Sequence, residues 1–402
     1  MLEQQHPDLE FKRLLLCSRM HLSPSAVSQL QALTRHKPDF ELLFDLAVRH
    51  KVEQLLYKTL RSQIAGPFPA EQLEPLKERC EEISSRNVAL ARHLLNIVAE
   101  LDSQGIASIP YKGPVLTQQI YGDLSMRRYF DLDLLVHPKQ YSLAKAFFES
   151  QGYTLTAESA AEWECTYAKR DVTPPVLVDL HQAIMPPRFW VDFDFQRLQG
   201  RLTTVDLLGR DVSTLSPEDL LLVLCAHASK PADRWKKLRY ICDVAELLRR
   251  YGDDMNWDDV LSTARELDTY RMTMLGVHLA ESLLDVGLPR AVCRQGDASW
   301  LSPLQHHIIE VQLKRTTLNE RSETYANPEF YLRLRNQVTK GLPTFLFLSK
   351  RALRRASVVR LRDLDDIQFP KVLYPLYIPA FALQTVLGRA KSSGRGDQSG
   401  AD

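Results

Sequence analysis

The sequence predicts an α+β fold, with a short run of strands set between two helical regions. Three observations lead to it. Apolar positions recur at helical spacing through the first hundred residues, short apolar runs alternate with glycine turns from Gly105 to Gly209, and helical spacing returns beyond Gly209. At 402 residues the chain is long enough for two or three domains. The expected divisions are a helical region over 1–104, a core over 105–209, a helical region over 210–390 and a disordered Ser/Gly-rich tail over 391–402.

In chain order, Ser23 and Ser25 flank Pro24 in a helix-start pattern, and helical spacing runs through Phe40 to Val48 and Val52 to Leu60. A long helix is expected from Ala70 to Ser103, with Gly105 as its C-terminal cap. Ile106 to Pro110 then reads as a short strand, Tyr111 to Pro114 as a glycine turn, and Val115 to Tyr121 as a helix closed by Gly122 and Asp123. Strand, glycine turn and helix in that order aim backbone N–H groups and a helix N-terminus at an anion. Lys112 adds a full positive charge beside Gly113.

The stretch from Tyr129 to Val136 reads as a buried strand containing two acids. Side chains alternate along a strand, so Asp131 and Asp133 share one face and Leu132 and Leu134 the other. Two carboxylates this close stay ionised in a buried strand only with positive charge between them. A divalent cation, Mg²⁺ or its substitute Mn²⁺, supplies that charge and takes oxygen ligands of this kind. Pro138 opens an amphipathic helix that ends at Gly152, and further strands are expected at Tyr153 to Thr156, Trp163 to Ala168 and Val176 to His181. The last of these repeats the pattern, with Asp179 and His181 on one face and Val178 and Leu180 on the other. A third carboxylate on another strand of the same small sheet is what a two-metal site requires.

Beyond Gly209 the chain is expected to be helical throughout. Ser216, Pro217, Glu218 and Asp219 form a helix-start signature. Later helices are expected over 238–248, 257–267, 269–286, 301–316 and 328–340. His227 and Asp243 lie where they could line a cleft, although satisfied packing is the favoured reading for both. Asp192 and Asp194 repeat the acid spacing without a glycine turn before them and are expected to be surface residues. His306 and His307 are neighbours on a helix and so do not share a face, which removes them as a metal pair.

Composition excludes little. A formal net charge of +1 gives no overall pull towards nucleic acid or an anionic membrane. Six cysteines without C-x-x-C spacing fit reduced thiols better than a disulfide framework or a zinc site. The N-terminal residues lack a basic region leading into an apolar run, so the cytoplasm is the expected location. Phe369 to Gly388 is the sole apolar stretch near membrane length. Pro370, Pro375 and Pro379 interrupt it, and a packed, kinked helix is expected rather than a membrane contact.

Taken together, Lys112-Gly113, Tyr121-Gly122, Arg127, the Asp131-Leu-Asp133 strand and the Val178-Asp179-Leu-His181 strand resemble the DNA polymerase β-type nucleotidyltransferase superfamily. More closely they resemble a bacterial branch known only as nucleotidyltransferase family proteins. In that branch Leu215 to Leu221 and the helix bearing Arg239 and Asp243 are also similar. The resemblance implies a small mixed-sheet nucleotidyltransferase core and a two-metal reaction. In such a reaction a hydroxyl attacks the α-phosphorus of a nucleoside triphosphate and pyrophosphate leaves. It implies Asp131, Asp133 and Asp179 as metal-binding and catalytic residues. Lys112, Gly113 and Arg127 would face the nucleotide, with Arg127 neutralising phosphates or orienting the carboxylates, and His181 would lie beside the site. Arg127 and Arg128 stand in a loop-like stretch where surface exposure is the default expectation. The chain departs from the superfamily in its turn, Lys-Gly rather than Gly-Ser or Gly-Gly, and Gly113 precedes Asp131 by 18 positions. The acceptor remains open: a small molecule, a sugar, a protein side chain or an RNA end. The oligomeric state is not legible. Two other readings compete, a D-x-D glycosyltransferase using a nucleotide sugar and a catalytically silent nucleotide-binding protein.

Overall fold

The computed structural model describes residues 5–33, 37–62, 70–159, 163–189, 191–230, 233–294, 299–314, 330 and 333–335. The Phe369 to Gly388 stretch, the 391–402 tail and most of the helix expected at 328–340 lie outside these residues. By internal contacts the chain divides into two compact units, Met1–Ser322 with Leu334–Gln337, and Glu323–Arg333 with Val338–Asp402. The fold and site below belong to the first.

Five helices come first: α1 (Gln5–Cys17), α2 (Pro24–Leu33), α3 (Phe40–His50), α4 (Glu53–Ser62) and the long α5 (Ala70–Ser103). Ser23 Oγ accepts from Ala26 N at 3.2 Å at the start of α2, and Asp39 caps α3 through Leu42 N. Beyond the end of α5, Gly105 takes the left-handed conformation expected of a terminating glycine (φ +69°).

The core continues as β1 (Ser108–Pro110), α6 (Gly113–Tyr121), β2 (Asp131–Val136), α7 (Tyr141–Ser150), β3 (Thr154–Glu158), β4 (Glu164–Lys169) and β5 (Val176–His181). The five strands form one mixed sheet in the order β1-β2-β5-β4-β3. Within it β2 and β5 are parallel and the other neighbours antiparallel. One face of this sheet is apolar. Leu132, Leu134, Val178, Leu180 and Tyr167 are buried in one core with Leu90, Leu94 and Leu101 of α5 and Phe147 and Phe148 of α7. Phe148 stacks on Tyr167 with ring centroids 5.3 Å apart. By alternation the acids of β2 and β5 are left on the opposite face.

A short α8 (Phe195–Gln199) precedes a hairpin of β6 (Thr203–Leu207) and β7 (Arg210–Thr214), and β7 corrects the helix expected beyond Gly209. Asp194 is exposed and caps α8 by accepting from Arg197 N at 2.7 Å, so its role is structural. The stretch after Gly209 is strand rather than helix. Leu208 and Gly209 both have positive φ and turn the chain in two residues, the geometry favoured for tight hairpins. Thr214 Oγ1 donates to Pro110 O at 2.7 Å and fastens the hairpin beside β1.

The helices that follow are α9 (Pro217–Ala228), α10 (Leu238–Tyr251), α11 (Trp257–Glu266), α12 (Tyr270–Leu284), α13 (Arg290–Cys293) and α14 (Leu301–His306). Ser216 caps α9 through Asp219 N, as its sequence signature requires. The helix expected at 301–316 continues past α14 with wider π-type turns over His307–Leu313. Among the described residues no helix is long and apolar enough to cross a membrane. All six cysteines are free.

Candidate active site

The acidic face of the sheet and the helices α9 and α10 enclose a cleft. The strands contribute Asp131, Asp133, Glu164, Asp179 and His181, while Leu224 and His227 come from α9 and Arg239, Tyr240 and Asp243 from α10. Lys112, Gly113, Arg127 and Tyr129 complete its lining. Strand register brings the acids together. Asp133 lies opposite Asp179 across the parallel β2–β5 pair, and Asp131 is two residues earlier on the same face. On β4, Thr166 is opposite Asp179 and Glu164 opposite His181.

The glycine turn reaches this group despite the long gap in sequence. The intervening residues are used by α6, by Gly122 in the left-handed conformation that ends it, and by the short 3-10 turn Leu124–Met126. Asn87 Nδ2 on α5 then donates to Leu124 O at 2.6 Å and to Arg127 O at 2.8 Å, directing the returning chain into β2. Gly113 has φ +59°, and a Cβ there would stand 3.1 Å from Asp131 O. Only glycine fits both the turn and the close approach. Lys112 at the start of α6 donates from Nζ to Asp133 Oδ1 at 3.0 Å.

Electrostatics differ sharply among the acids. Burial acts to raise the Asp133 pKa, but the Lys112 ammonium and His181 outweigh it and hold the carboxyl well below its usual range. Asp179 goes the other way. Burial, followed by the Asp133 charge, pushes it up to about 7 even though Thr166 Oγ1 donates to its Oδ1 at 2.7 Å. Burial and Asp133 likewise raise Asp131. His181 is pushed down to about 4 by burial, against the pull of Asp133. Its Nε2 lies 3.4 Å from Asp133 Oδ1 and its Nδ1 3.5 Å from Glu164 Oε2, both long contacts that leave the two buried ring nitrogens poorly satisfied.

These features fit a divalent cation. Donor atoms of Asp133, Asp179 and His181 all lie within 4.8 Å of one another. Carboxylates whose charges oppose each other, next to a neutral imidazole with buried unsatisfied nitrogens, are relieved by a shared metal. His181 stands inside this tightest donor set, and Asp131 lies on the same face just outside it.

Arg127 and Arg128 are buried, contrary to the exposure expected of them. Each pairs with a buried acid from a distant helix. Arg127 Nε donates to Asp243 Oδ1 and Oδ2 at 2.9 and 3.1 Å, and Tyr121 donates to the same carboxylate at 2.9 Å. Arg128 pairs with Glu53 at 2.7 Å. Asp243 therefore both lines the cleft and is satisfied in packing. Glu164 and Thr166 escaped the sequence reading. Alternation puts them on one face of β4, but only the register shows that this face adjoins the acids.

Comparison with known proteins decides the family. The model for a family described as uncharacterised nucleotidyltransferase matches residues 36–285. The chain belongs to that family. The span matching this uncharacterised nucleotidyltransferase family runs from α3 through α12 and includes every residue of the cleft. Among functionally curated proteins, none matches the chain. Two solved structures show a loose likeness. One is the antibiotic-resistance factor ANT(2'')-Ia, at 18% identity over 45% of this chain and 90% of that one, with a TM-score of 0.32. The other is an antigenic nucleotidyltransferase-like protein from Paracoccidioides brasiliensis, at 19% identity over 46% and 88%, with a TM-score of 0.28.

Proposed function

We propose that the protein moves a nucleoside monophosphate from a nucleoside triphosphate to a hydroxyl-bearing acceptor and releases pyrophosphate. The observation that carries this reading is the in-register pair Asp133 and Asp179, with Asp131 on the same face and the Lys112 ammonium against Asp133. Asp131, Asp133 and Asp179 would hold Mg²⁺ or Mn²⁺, with His181 beside them as a further donor. Bound there, the metal would supply charge for the triphosphate and for the oxygens entering and leaving at the α-phosphorus.

The chain's own residues have distinct tasks in this reading. Thr166 fixes Asp179 through Oδ1, and Asp179 Oδ2 is assigned to take the proton of the acceptor hydroxyl. Lys112 and the N-terminal N–H groups of α6, which no side chain caps, face the phosphates. Arg127, clamped by Asp243, presents a fixed positive charge to the same cleft. A transferase core over 105–209, preceded in the chain by α1 to α5, and a cytoplasmic location with its nucleotide supply complete the proposal.

The test uses magnesium and each α-labelled nucleoside triphosphate, with and without cell lysate as a source of acceptor. Label transfer with pyrophosphate release is expected. The double substitution Asp131→Asn with Asp133→Asn should abolish it while circular dichroism stays unchanged. Transfer that survives both substitutions refutes the assigned site. Transfer from a labelled nucleotide sugar alone would instead favour the glycosyltransferase reading.

A further inference from the structure

His181 is held so that each of its ring nitrogens faces a carboxylate. The ring is 3% exposed and wedged between Tyr111, edge-on with centroids 5.6 Å apart, and Trp163, tilted at 5.7 Å. Nε2 lies 3.4 Å from Asp133 Oδ1 on β2. Nδ1 lies 3.5 Å from Oε2 of Glu164, the residue opposite His181 in the β4–β5 register. An ionised carboxylate only accepts, whereas a neutral imidazole has one N–H and one lone pair. One of the two nitrogens therefore meets a carboxylate oxygen lone pair to lone pair. An imidazolium could donate to both, but a ring so deeply buried resists the charge.

The surroundings decide which nitrogen is bare. Asp133 Oδ1 already accepts from Lys112 Nζ at 3.0 Å. Glu164 lines the cleft with its side chain 35% exposed, and a shift of about half an ångström brings Oε2 within hydrogen-bond range of Nδ1. With the N–H at Nδ1 directed to Glu164, the lone pair of Nε2 faces Asp133. Donor atoms of Asp133, Asp179 and His181 lie within 4.8 Å of one another, so one cation can accept from all three. A carboxylate behind a histidine in this way fixes its tautomer and strengthens the other nitrogen as a metal ligand. That nitrogen also discriminates among metals. Mg²⁺ keeps oxygen ligands and water, whereas Mn²⁺ and the later first-row ions accept imidazole more readily.

We propose that Glu164 is a positioning residue that turns the Nε2 lone pair of His181 to the divalent cation, and that this nitrogen ligand makes the site select Mn²⁺ over Mg²⁺. The use of the cation in a reaction rests on the nucleotidyl-transfer reading, whereas its ligands can be read without any nucleotide.

The experiment titrates metal-stripped, full-length protein with Mn²⁺, and with Mg²⁺ in competition, in the absence of nucleotide. Pulsed electron paramagnetic resonance of the bound Mn²⁺ looks for coupling to an imidazole nitrogen, and thermal melts confirm that each variant is folded. Wild type should show the coupling and hold Mn²⁺ more tightly than Mg²⁺. His181→Gln should lose the coupling and weaken Mn²⁺ at least about ten-fold, with a smaller effect on Mg²⁺. Glu164→Ala should weaken Mn²⁺ about ten-fold, and Glu164→Gln, which keeps an acceptor for Nδ1, should recover most of that loss. Mn²⁺ bound to wild type without nitrogen coupling, or not bound at all, overturns the ligand assignment. Equal losses in the two Glu164 variants overturn the positioning role, and equal affinities for the two ions overturn the selection. Nitrogen coupling in a protein that transfers no label leaves this proposal standing and removes the nucleotidyl-transfer reading; label transfer with an all-oxygen Mn²⁺ site does the reverse.

Discussion

Replacing Gly113 with alanine should damage the site more than the fold. At φ +59° an L-residue costs about 1–2 kcal/mol relative to glycine. The new Cβ would also stand 3.1 Å from the Asp131 carbonyl oxygen, closer than ordinary van der Waals contact, and that oxygen is backbone and cannot rotate away. Either the turn or the first residue of β2 must move by a few tenths of an ångström. Both bear on the site, since Lys112 precedes the turn and Asp131 begins the strand. The expected stability loss is about 1–3 kcal/mol, a few degrees in melting temperature for a domain of this size. Label transfer should fall at least about ten-fold, because small displacements of positioning groups cost more in rate than in stability. Differential scanning calorimetry beside the transfer assay reads both. Wild-type melting and wild-type transfer together would refute the claim that this turn packs against the catalytic strand.

Other expectations follow from the same geometry. Asp179→Ala should lose transfer while retaining nucleotide binding, measured by radiolabel assay and fluorescent-nucleotide titration, and full activity would remove Asp179 from the site. Asp243→Ala leaves the Arg127 guanidinium buried without its carboxylate partner and should cost about 3–5 kcal/mol in chemical denaturation; a loss within about 0.5 kcal/mol would mean that water replaces the pair. His50 is wholly buried, and burial, followed by Lys237 and Arg49, pushes its pKa down to about 3. The unfolded chain therefore takes up this proton first. Stability is full above the unfolded pKa of about 6.5 and falls with pH towards 3, by about 1.4 kcal/mol per pH unit from this group. His50→Gln should flatten that acid limb in urea titrations, and an unchanged slope would contradict the assignment. Chelation should abolish transfer and Mg²⁺ or Mn²⁺ should restore it, whereas undiminished activity in chelator would exclude a metal-dependent site.

Much of the fold can be read from local pattern because its signals are strong. The alternation from Val176 to His181 coincides with β5, and apolar spacing with a terminal glycine locates α5 and its end at Gly105. The β6–β7 hairpin is less visible, because its turn places Leu208, not the usual Asn or Asp, at positive φ ahead of Gly209. Residues of the candidate site divide along similar lines. Asp131, Asp133 and Asp179 can be found because acids interrupt apolar strands, and a buried charge in a strand needs a partner. Glu164 and Thr166 depend on strand register, which no local signal contains. Arg127 and Arg128 look exposed in a polar loop, yet their partners lie on α10 and α4, far along the chain. The 18-residue gap that looks like a departure from the superfamily is filled by α6 and a short turn that bring Gly113 back against Asp131.

The central claim is that the Asp133–Asp179 face transfers a nucleotide. Its most direct measurement follows α-labelled nucleoside triphosphate and pyrophosphate together, in wild type and in the Asp131→Asn, Asp133→Asn double variant. One pyrophosphate released for each label transferred in wild type, and neither in the folded double variant, is the predicted result. Transfer by the double variant, or label transferred without pyrophosphate, would contradict it.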